Sequence, residues 1–359
     1  MSGPSRRPIQ VLDDDAVAAL LPVRDPRAHK GDNGRVLLVA GSLDFTGAGL
    51  LASHAAGRAG AGLVTLAVPR SLQPVVAGRF VEVITHGLPE REPFEVDPEA
   101  AAAEVAGLAH DALVLGPGLR RSDANDAFVN AVLAGAGAGA AAGGDTPAAR
   151  GAAGARGTAR RGDAAARGGA SGREPAPVLV DAEALNALSR TPGWHERVRR
   201  RCVLTPHPGE FRRLRPEAEG DLSGDDEARE RAARDAAEEW GQVVLLKGAR
   251  TVIAGPDGEA ARLPFENPAM GTGGTGDVLS GIIGALLGQR LDAYAAACLG
   301  AYLHGAAGEV IRERLGDSGL LASDLPAEVA HARHRLAKLR DRRAGTGRRV
   351  GFAMRGGGA

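Results

Sequence analysis

The residues best suited to chemistry are Asn267-Pro268-Ala269-Met270-Gly271-Thr272-Gly273-Gly274-Thr275-Gly276-Asp277, which run straight into the apolar stretch VLSGIIGALL. Four glycines and two threonines ahead of an apolar helix let backbone N–H groups converge on one point, and the positive end of the helix dipole adds to them. Gly273, Gly274, Thr275 and Gly276 therefore read as an anion cradle. No Lys-Ser/Thr pair follows, so this is not a Walker A loop, in which a lysine reaches the phosphates. Asp277 stands there instead. A carboxylate beside a bound phosphate is repelled unless it has a task, and taking the proton of a hydroxyl about to attack phosphorus is such a task. The plainer reading is a glycine-rich turn with Asp277 as a helix N-cap; the density of Gly and Thr before the Asp argues against it.

Other candidates are weaker alone. His207 lies between two prolines in Thr205-Pro206-His207-Pro208-Gly209-Glu210, just after a strand end. Lys247 also ends a strand, and Gly248 beside it permits close approach of a nucleotide. Asp181 sits at a third strand end, the edge where open α/β sheets place their ligands; it either holds the site together or caps the next helix. His29-Lys30-Gly31-Asp32 is a polar lead-in loop or part of the site. Gly47-x-Gly49-x-x-Ala52 has the spacing of a dinucleotide fingerprint, but its first glycine comes several residues after the strand. The second strand ends in Pro69-Arg70, without an acidic residue for a ribose. Cys202 and Cys298 are 96 positions apart with no CxxC or His-rich spacing, which excludes a disulfide scaffold and argues against zinc.

The elements that must position these residues alternate along the chain. Strands are expected at 35–40, 63–68, 112–115, 178–181, 202–205 and 243–247, all short, Val/Leu-rich and continuous, as strands buried on both faces of a parallel sheet are. Helices are expected at 48–59, 122–133, 182–189 and 225–240. The βαβα order predicts a three-layer α/β domain with helices on both faces. After Lys247, strands at 251–254 and 261–264 flank Asp257-Gly258, a hairpin signal.

Two segments fall outside this scheme. Residues 134–173 are mostly Ala, Gly and Arg without one Val, Leu, Ile, Met or aromatic residue, so a disordered insertion is expected. Residues 331–359 carry nine Lys/Arg against one Asp, and read as a helix end followed by a solvated basic tail. The 359 residues balance 44 Lys+Arg against 44 Asp+Glu, which excludes a uniformly basic protein. The insertion and tail hold 15 of the basic and 3 of the acidic residues, so the remainder carries a net −12. No greasy span or apolar N-terminal stretch is present, and a soluble cytoplasmic protein is expected.

GTGGTGD opening a helix is similar to the anion-hole and catalytic-Asp motif of the ribokinase-like superfamily. Four further motifs narrow it: His29-Lys30-Gly31-Asp32-Asn33-Gly34-Arg35, Gly41-Ser42 with Phe45-Thr46-Gly47-Ala48, Asp181-Ala182-Glu183-Ala184-Leu185-Asn186, and the TPHPGE run at 205–210. In that order they resemble the ADP-dependent (S)-NAD(P)H-hydrate dehydratase family, related to the C-terminal domain of bifunctional NAD(P)H-hydrate repair enzymes, from about His29 to Pro326. The resemblance implies a ribokinase-like three-layer α/β/α domain over 29–330 with a mostly parallel central sheet, interrupted by the insertion and preceded by a lead-in of residues 1–28. It implies substrate contacts from Ala48, Gly118, His207 and Asp277, nucleotide contacts from Lys247, Gly248, Ala249, Arg250, Thr251 and Gly276, and Asp277 as the catalytic base.

One departure is visible: Gly116-Pro117-Gly118-Leu119-Arg120 stands where the family usually reads GPGLG. The implied reaction is dehydration of (6S)-hydrated NADH or NADPH, releasing AMP and phosphate. ADP is the implied phosphoryl donor, though ATP presents the same phosphates, and Mg²⁺ is expected to bridge them; no residue announces itself as its ligand. The expected partner is this small-molecule substrate, with neither nucleic acid nor membrane involved. A homo-oligomer is also expected, with an NAD(P)H-hydrate epimerase as metabolic companion. A ribokinase-fold kinase for a hydroxymethyl group of a vitamin precursor, or a non-catalytic nucleotide-sensing module, are the alternatives.

Overall fold

The computed structural model describes residues 7–135 and 175–345; the low-complexity insertion from residue 136 and the basic tail from residue 346 lie outside them. In chain order the elements are β1 (Gln10–Val11), α1 (Asp14–Leu20), β2 (Arg35–Val39), α2 (Thr46–Arg58), β3 (Leu63–Pro69), α3 (Gln73–Ala77), β4 (Ile84–Leu88), β5 (Glu90–Glu92), β6 (Glu95–Val96), α4 (Pro98–Gly107), β7 (Ala112–Leu115) and α5 (Asp123–Leu133). Then follow β8 (Val178–Val180), α6 (Glu183–Ser189), α7 (Trp194–Arg197), β9 (Cys202–Leu204), α8 (Pro208–Leu214), α9 (Asp226–Trp240), β10 (Val243–Leu246), β11 (Val252–Ala254), β12 (Ala260–Arg262), α10 (Thr275–Gly288), α11 (Ala293–Leu315) and α12 (Leu325–Arg343).

Ten strands form one sheet in the order β1-β12-β11-β10-β9-β8-β7-β2-β3-β4. Only β10–β11 and β11–β12 pair antiparallel, and the second of these turns is the expected hairpin. The six buried strands read from the sequence all appear, each within one residue. In three of them the residue left off is polar: Asp181, Thr205 and Lys247 stand just past the C-terminal ends of β8, β9 and β10. The strand β4 was not foreseen, because as an edge strand it is largely half-buried and carries Thr85-His86-Gly87 in place of a Val/Leu run. The two-residue β1 and the β5–β6 hairpin are too short to leave a periodic signal.

Successive residues of each strand serve opposite faces of the sheet, as the pleat requires. Val36, Leu38, Val114, Leu179, Val203 and Leu245 face a core shared with α1, α2, α10, α11 and α12. Leu37, Val39, Leu113, Leu115, Val178, Val180, Leu204 and Val244 face the other core, beneath α4, α5, α6 and α9. Cys202 and Cys298 are free thiols, buried one on each side. Among the described residues no helix is long and apolar enough to cross a membrane.

Helix α10 lies unusually close to its neighbours because its inner face is glycine. A Cβ at Gly281 would stand 2.0 Å from the Ala52 carbonyl oxygen on α2, and one at Gly284 2.3 Å from Val114 Cγ2 on β7. In an ordinary helix Gly→Ala gains about 0.5–1 kcal/mol. At Gly281 the clash with backbone reverses the sign: Gly281→Ala is expected to lose ~1–3 kcal/mol by overpacking. Urea denaturation checks this, and a midpoint at or above that of the parent contradicts the packing.

Candidate active site

Parallel strands deliver their C-terminal ends to one edge, and there the polar residues meet. Lys247 Nζ donates to Asp181 Oδ1 at 2.9 Å and lies 3.7 Å from Glu210 Oε2. The other Asp181 oxygen accepts from Ser280 Oγ at 2.6 Å, in the second turn of α10. The two roles left open for Asp181 are thereby separated: it holds the site together, and the N-cap of α6 is Ala182. Burial pulls the Lys247 ammonium toward neutrality, but the Asp181, Glu210 and Asp277 carboxylates outweigh it and raise its pKa. The charge is kept.

Asp277 is the third residue of α10. Its carboxyl is pushed up to about 7, first by burial and then by the neighbouring Asp181 charge, with Lys247 acting in the opposite direction. Gly274 precedes the helix in the left-handed region at φ +91°, a conformation suited to glycine. The Thr275 hydroxyl lies 3.0 Å from both the Met270 and Thr272 carbonyls, which pins the loop against the helix start. First-turn N–H groups have no acceptor within their own helix. In α10 the Thr275 N–H turns back to the Thr272 carbonyl at 3.4 Å, those of Gly276 and Asp277 are left to meet an anion, and a Cβ built on Gly276 would lie 3.6 Å from Lys247 Nζ. Cradle and ammonium face one point.

On one side of this loop is a cleft of about 880 Å³, within the range of small-molecule sites. Lys247, Gly248, Ala249, Arg250, Thr251 and Gly276 all line it. The turn after β10 is built tightly. Thr251 Oγ1 donates to the Gly248 carbonyl at 2.9 Å, and the Arg229 guanidinium, 1% exposed, donates to the Ala249 carbonyl. A side chain at Gly248 would stand 2.5 Å from Arg229 Nη1. Arg250 takes φ +50° and pairs with Glu266 at 2.6 Å and Asp226 at 3.2 Å.

Asp277 does not line that cleft; a Cβ built on Gly274 would lie 3.9 Å from its Oδ2, at a point that also meets Leu51 on α2 and Ala322. Ala48 is one turn earlier on α2. Gly118, at φ +64°, abuts it so closely that a Cβ there would be 2.5 Å from Ala48 Cβ. His207 is half-exposed and caps α8: its Nδ1 accepts from the Gly209 N–H at 3.0 Å, while Glu210 Oε2 accepts from the His207 N–H at 2.9 Å. Burial lowers the His207 pKa despite Glu210. Arg120 is exposed, and its carbonyl is held by Asn125 Nδ2 at 2.6 Å. The His29-to-Arg35 run is placed elsewhere. It enters the opposite edge of the sheet, where Gly34 packs on Gly288 at the far end of α10, about 16 Å from Asp277 by helix rise. Its Gly34 serves packing.

Sequence reading missed Ser280, Arg229 and His304 as contributors; His304 lines the cleft and its ring bonds to the Thr275 carbonyl. Ser280 meets an aspartate 99 positions away, and Arg229 belongs to a run of charges that looks like a solvated helix face. Nothing local marks either.

A sequence profile described as NAD(P)H-hydrate dehydratase matches residues 36–138 and 160–330. The ADP-dependent (S)-NAD(P)H-hydrate dehydratase of Xanthomonas campestris pv. campestris is 32% identical over 343 residues, covering 94% of this chain and all of that one. The chain belongs to the NAD(P)H-hydrate dehydratase family. A bifunctional NAD(P)H-hydrate repair enzyme of Moorella thermoacetica is 40% identical over 306 residues, 85% of this chain and 50% of that one. The chain thus spans about half the length of the bifunctional relatives it matches. The crystal structure of the ADP/ATP-dependent NAD(P)H-hydrate dehydratase from Bacillus subtilis, co-crystallised with ATP and Mg²⁺, superposes with TM-score 0.69 at 28% identity, over 91% of this chain and 99% of that one. The fold is the ribokinase-like one, with its mostly parallel sheet between helical layers.

In this family member the raised Asp277 pKa makes a stability prediction. The folded value, about 7, exceeds the unfolded value near 4, so its contribution is fully present below pH 4 and is lost as pH rises through 7. Asp277→Asn cannot ionise and is expected to gain, on the order of a few kcal/mol, over the parent at pH 8, with the gain gone at pH 4. Urea denaturation at both pH values tests this; an equal difference at the two would refute the buried, ionisable assignment.

Proposed function

We propose that the chain dehydrates (6S)-hydrated NADH and NADPH at the expense of ADP, releasing AMP and phosphate. The observation that carries this reading is the Asp277 carboxyl, pushed up to about 7 in the first turn of the helix whose start, with Lys247, lines the nucleotide-sized cleft. The names of the relatives in Xanthomonas and Bacillus support the substrate and the nucleotide. Asp277 takes the proton from the substrate hydroxyl, and that oxygen attacks the β-phosphorus of ADP, breaking the bond to AMP. The α10 N–H groups and Lys247 are already oriented toward the charge that gathers on the transferring group. The hydroxyl, a poor leaving group, thereby becomes phosphate. The ring nitrogen lone pair expels it, and loss of a proton from the adjacent ring carbon restores the dihydropyridine.

Ala48, Gly118 and His207 are assigned to the hydrated nicotinamide, and the residues from Lys247 to Thr251, with Gly276, to the adenine nucleotide. Among the described residues no group of three His, Cys, Asp or Glu side chains could hold a metal. That fits Mg²⁺, which usually keeps waters and substrate phosphates and takes only one or two carboxylates. None of the carboxylates here is assigned to it, since Asp181 already accepts from Lys247 and Ser280 and Glu210 from the His207 N–H. The ion supplies neutralisation of phosphate charge when bound. A cytoplasmic location, a homo-oligomeric state and an epimerase as companion belong to the same proposal.

Mixing the protein with (6S)-hydrated NADH, ADP and Mg²⁺ is expected to restore the absorbance of reduced nicotinamide. No return of absorbance, with phosphorylation of a pyrimidine or thiazole alcohol instead, makes it a kinase of the same fold. The rate should rise with pH through about 7 as Asp277 gives up its proton. Asp277→Asn should lose roughly 10²–10⁴ in kcat and keep ADP binding; retained turnover removes Asp277 from the base role, and nucleotide binding by a parent protein that turns over nothing favours a sensing module.

A further inference from the structure

Arg120 stands where the family usually carries glycine, and the reaction steps above leave it without a task. Its backbone is fixed. The carbonyl accepts from Asn125 Nδ2 at 2.6 Å, and the Gly41 N–H beyond β2 donates to the Pro117 carbonyl at 2.7 Å, which ties the loop at 116–120 to the neighbouring strand. Leu119 turns into the core while Arg120 is exposed, beside a small hollow that it lines with Gly41, Ser42 and Pro69 at the ends of β2 and β3. Among the described residues the Arg120 guanidinium has no ion pair and no hydrogen bond. The Glu90 carboxylate, which reaches Phe94 on the far side of that hollow, is occupied by the Ser71 and Phe94 N–H groups and the Ser71 hydroxyl. An unpaired cation is thus held at the sheet edge where α/β folds take their ligands.

A chain of contacts relates this cation to Asp277. Asp277 Oδ2 and Leu51 border the point where a Gly274 Cβ would stand; Ala48 is one turn before Leu51, and Gly118 abuts Ala48. The contacts run from the base to the residues assigned above to the hydrated nicotinamide. Arg120 is two residues beyond Gly118, at most about 7 Å of backbone. In a hydrated dinucleotide the diphosphate lies one ribose from the nicotinamide ring, and the NADPH form carries another phosphate on the 2′-oxygen of its adenosine. A guanidinium suits either, because its planar fork meets two phosphate oxygens at once and its charge persists at every working pH.

We propose that Arg120 binds a phosphate group of the substrate dinucleotide, the diphosphate or the 2′-phosphate, and adds to substrate affinity without entering the chemistry. The inference rests on the dehydratase reading given above.

Steady-state kinetics of the full chain with (6S)-hydrated NADH and (6S)-hydrated NADPH, at saturating ADP and Mg²⁺, test it. Arg120→Gln is expected to raise the KM for hydrated NADPH about tenfold with kcat kept. An equal rise for both hydrates places Arg120 on the diphosphate; a rise for hydrated NADPH alone places it on the 2′-phosphate. Arg120→Lys should recover part of the loss, and the gap between parent and Arg120→Gln should narrow as salt is raised. Arg121→Gln removes the same charge from an exposed neighbour that does not line the hollow, and should leave both KM values in place. Unchanged KM values for both hydrates in Arg120→Gln overturn the assignment, as does an equal rise in Arg121→Gln, which marks a diffuse field in place of a contact. Arg120→Gly is read in the same way if Arg120→Gln does not fold. No turnover of either hydrate by the parent overturns the dehydratase reading itself, whereas turnover indifferent to Arg120 overturns only this inference.

Discussion

The ammonium of Lys247 is the group on which the site depends. Three carboxylates, Asp181, Glu210 and Asp277, act on this one cation, so the cluster holds more negative than positive charge. Such a cluster relaxes by keeping a proton on its least supported member. Asp181 is held by Lys247 and Ser280, and Glu210 by the His207 N–H. Asp277 is named in neither set of hydrogen bonds, and it is the carboxyl that moves to about 7. The raised Asp277 pKa is thus first a consequence of burial and then of the neighbouring Asp181 charge.

Strand order dictates that a lysine does this. Asp181 follows β8 and Lys247 follows β10, with β9 between them. Neighbouring strands are about 4.8 Å apart, so the two Cα positions are separated by roughly 10 Å. A long, flexible stem spans that gap and still ends in a compact charge. Between them the chain beyond β9 is tied to both sides: Thr205 Oγ1 is 3.3 Å from the Val180 carbonyl, and the Lys247 N–H donates to the Pro206 carbonyl at 2.8 Å. The TPHPGE run is therefore a strut as well as a source of Glu210.

Much of the sheet was legible because strands buried on both faces need uninterrupted apolar runs, and 36–39, 112–115 and 243–246 have them. The edge strand β4 and the short β1 were not, since partial exposure and brevity remove that constraint. Of the site, the glycine loop and Asp277 were readable from local spacing, because a helix N-terminus is a local device. The Asp181–Lys247 and Asp181–Ser280 pairs join residues 66 and 99 positions apart; only the sheet order brings them together. His304 sits in an apolar helical stretch, where an isolated histidine is ordinarily core. His207 shows the converse, a residue whose motif stands out and whose observed bonds are those of a helix cap.

The glycine and alanine richness of the chain also takes on a mechanical meaning. Helix pairs with ordinary side chains sit 8–10 Å apart. With glycine at 281 and 284, α10 presses directly on α2 and on β7, and its N-terminus is lowered toward the ends of β8 and β10. Larger residues on that face would lift the helix by the width of a methyl group or more. Ser280 Oγ, now 2.6 Å from Asp181, would then leave hydrogen-bond range, and the cradle would move away from Lys247. The few aromatic residues follow from the same demand. A core that must let a glycine-faced helix lie flat on a sheet has little room for rings beneath it, so its apolar volume is supplied by Val, Leu, Ile and Ala.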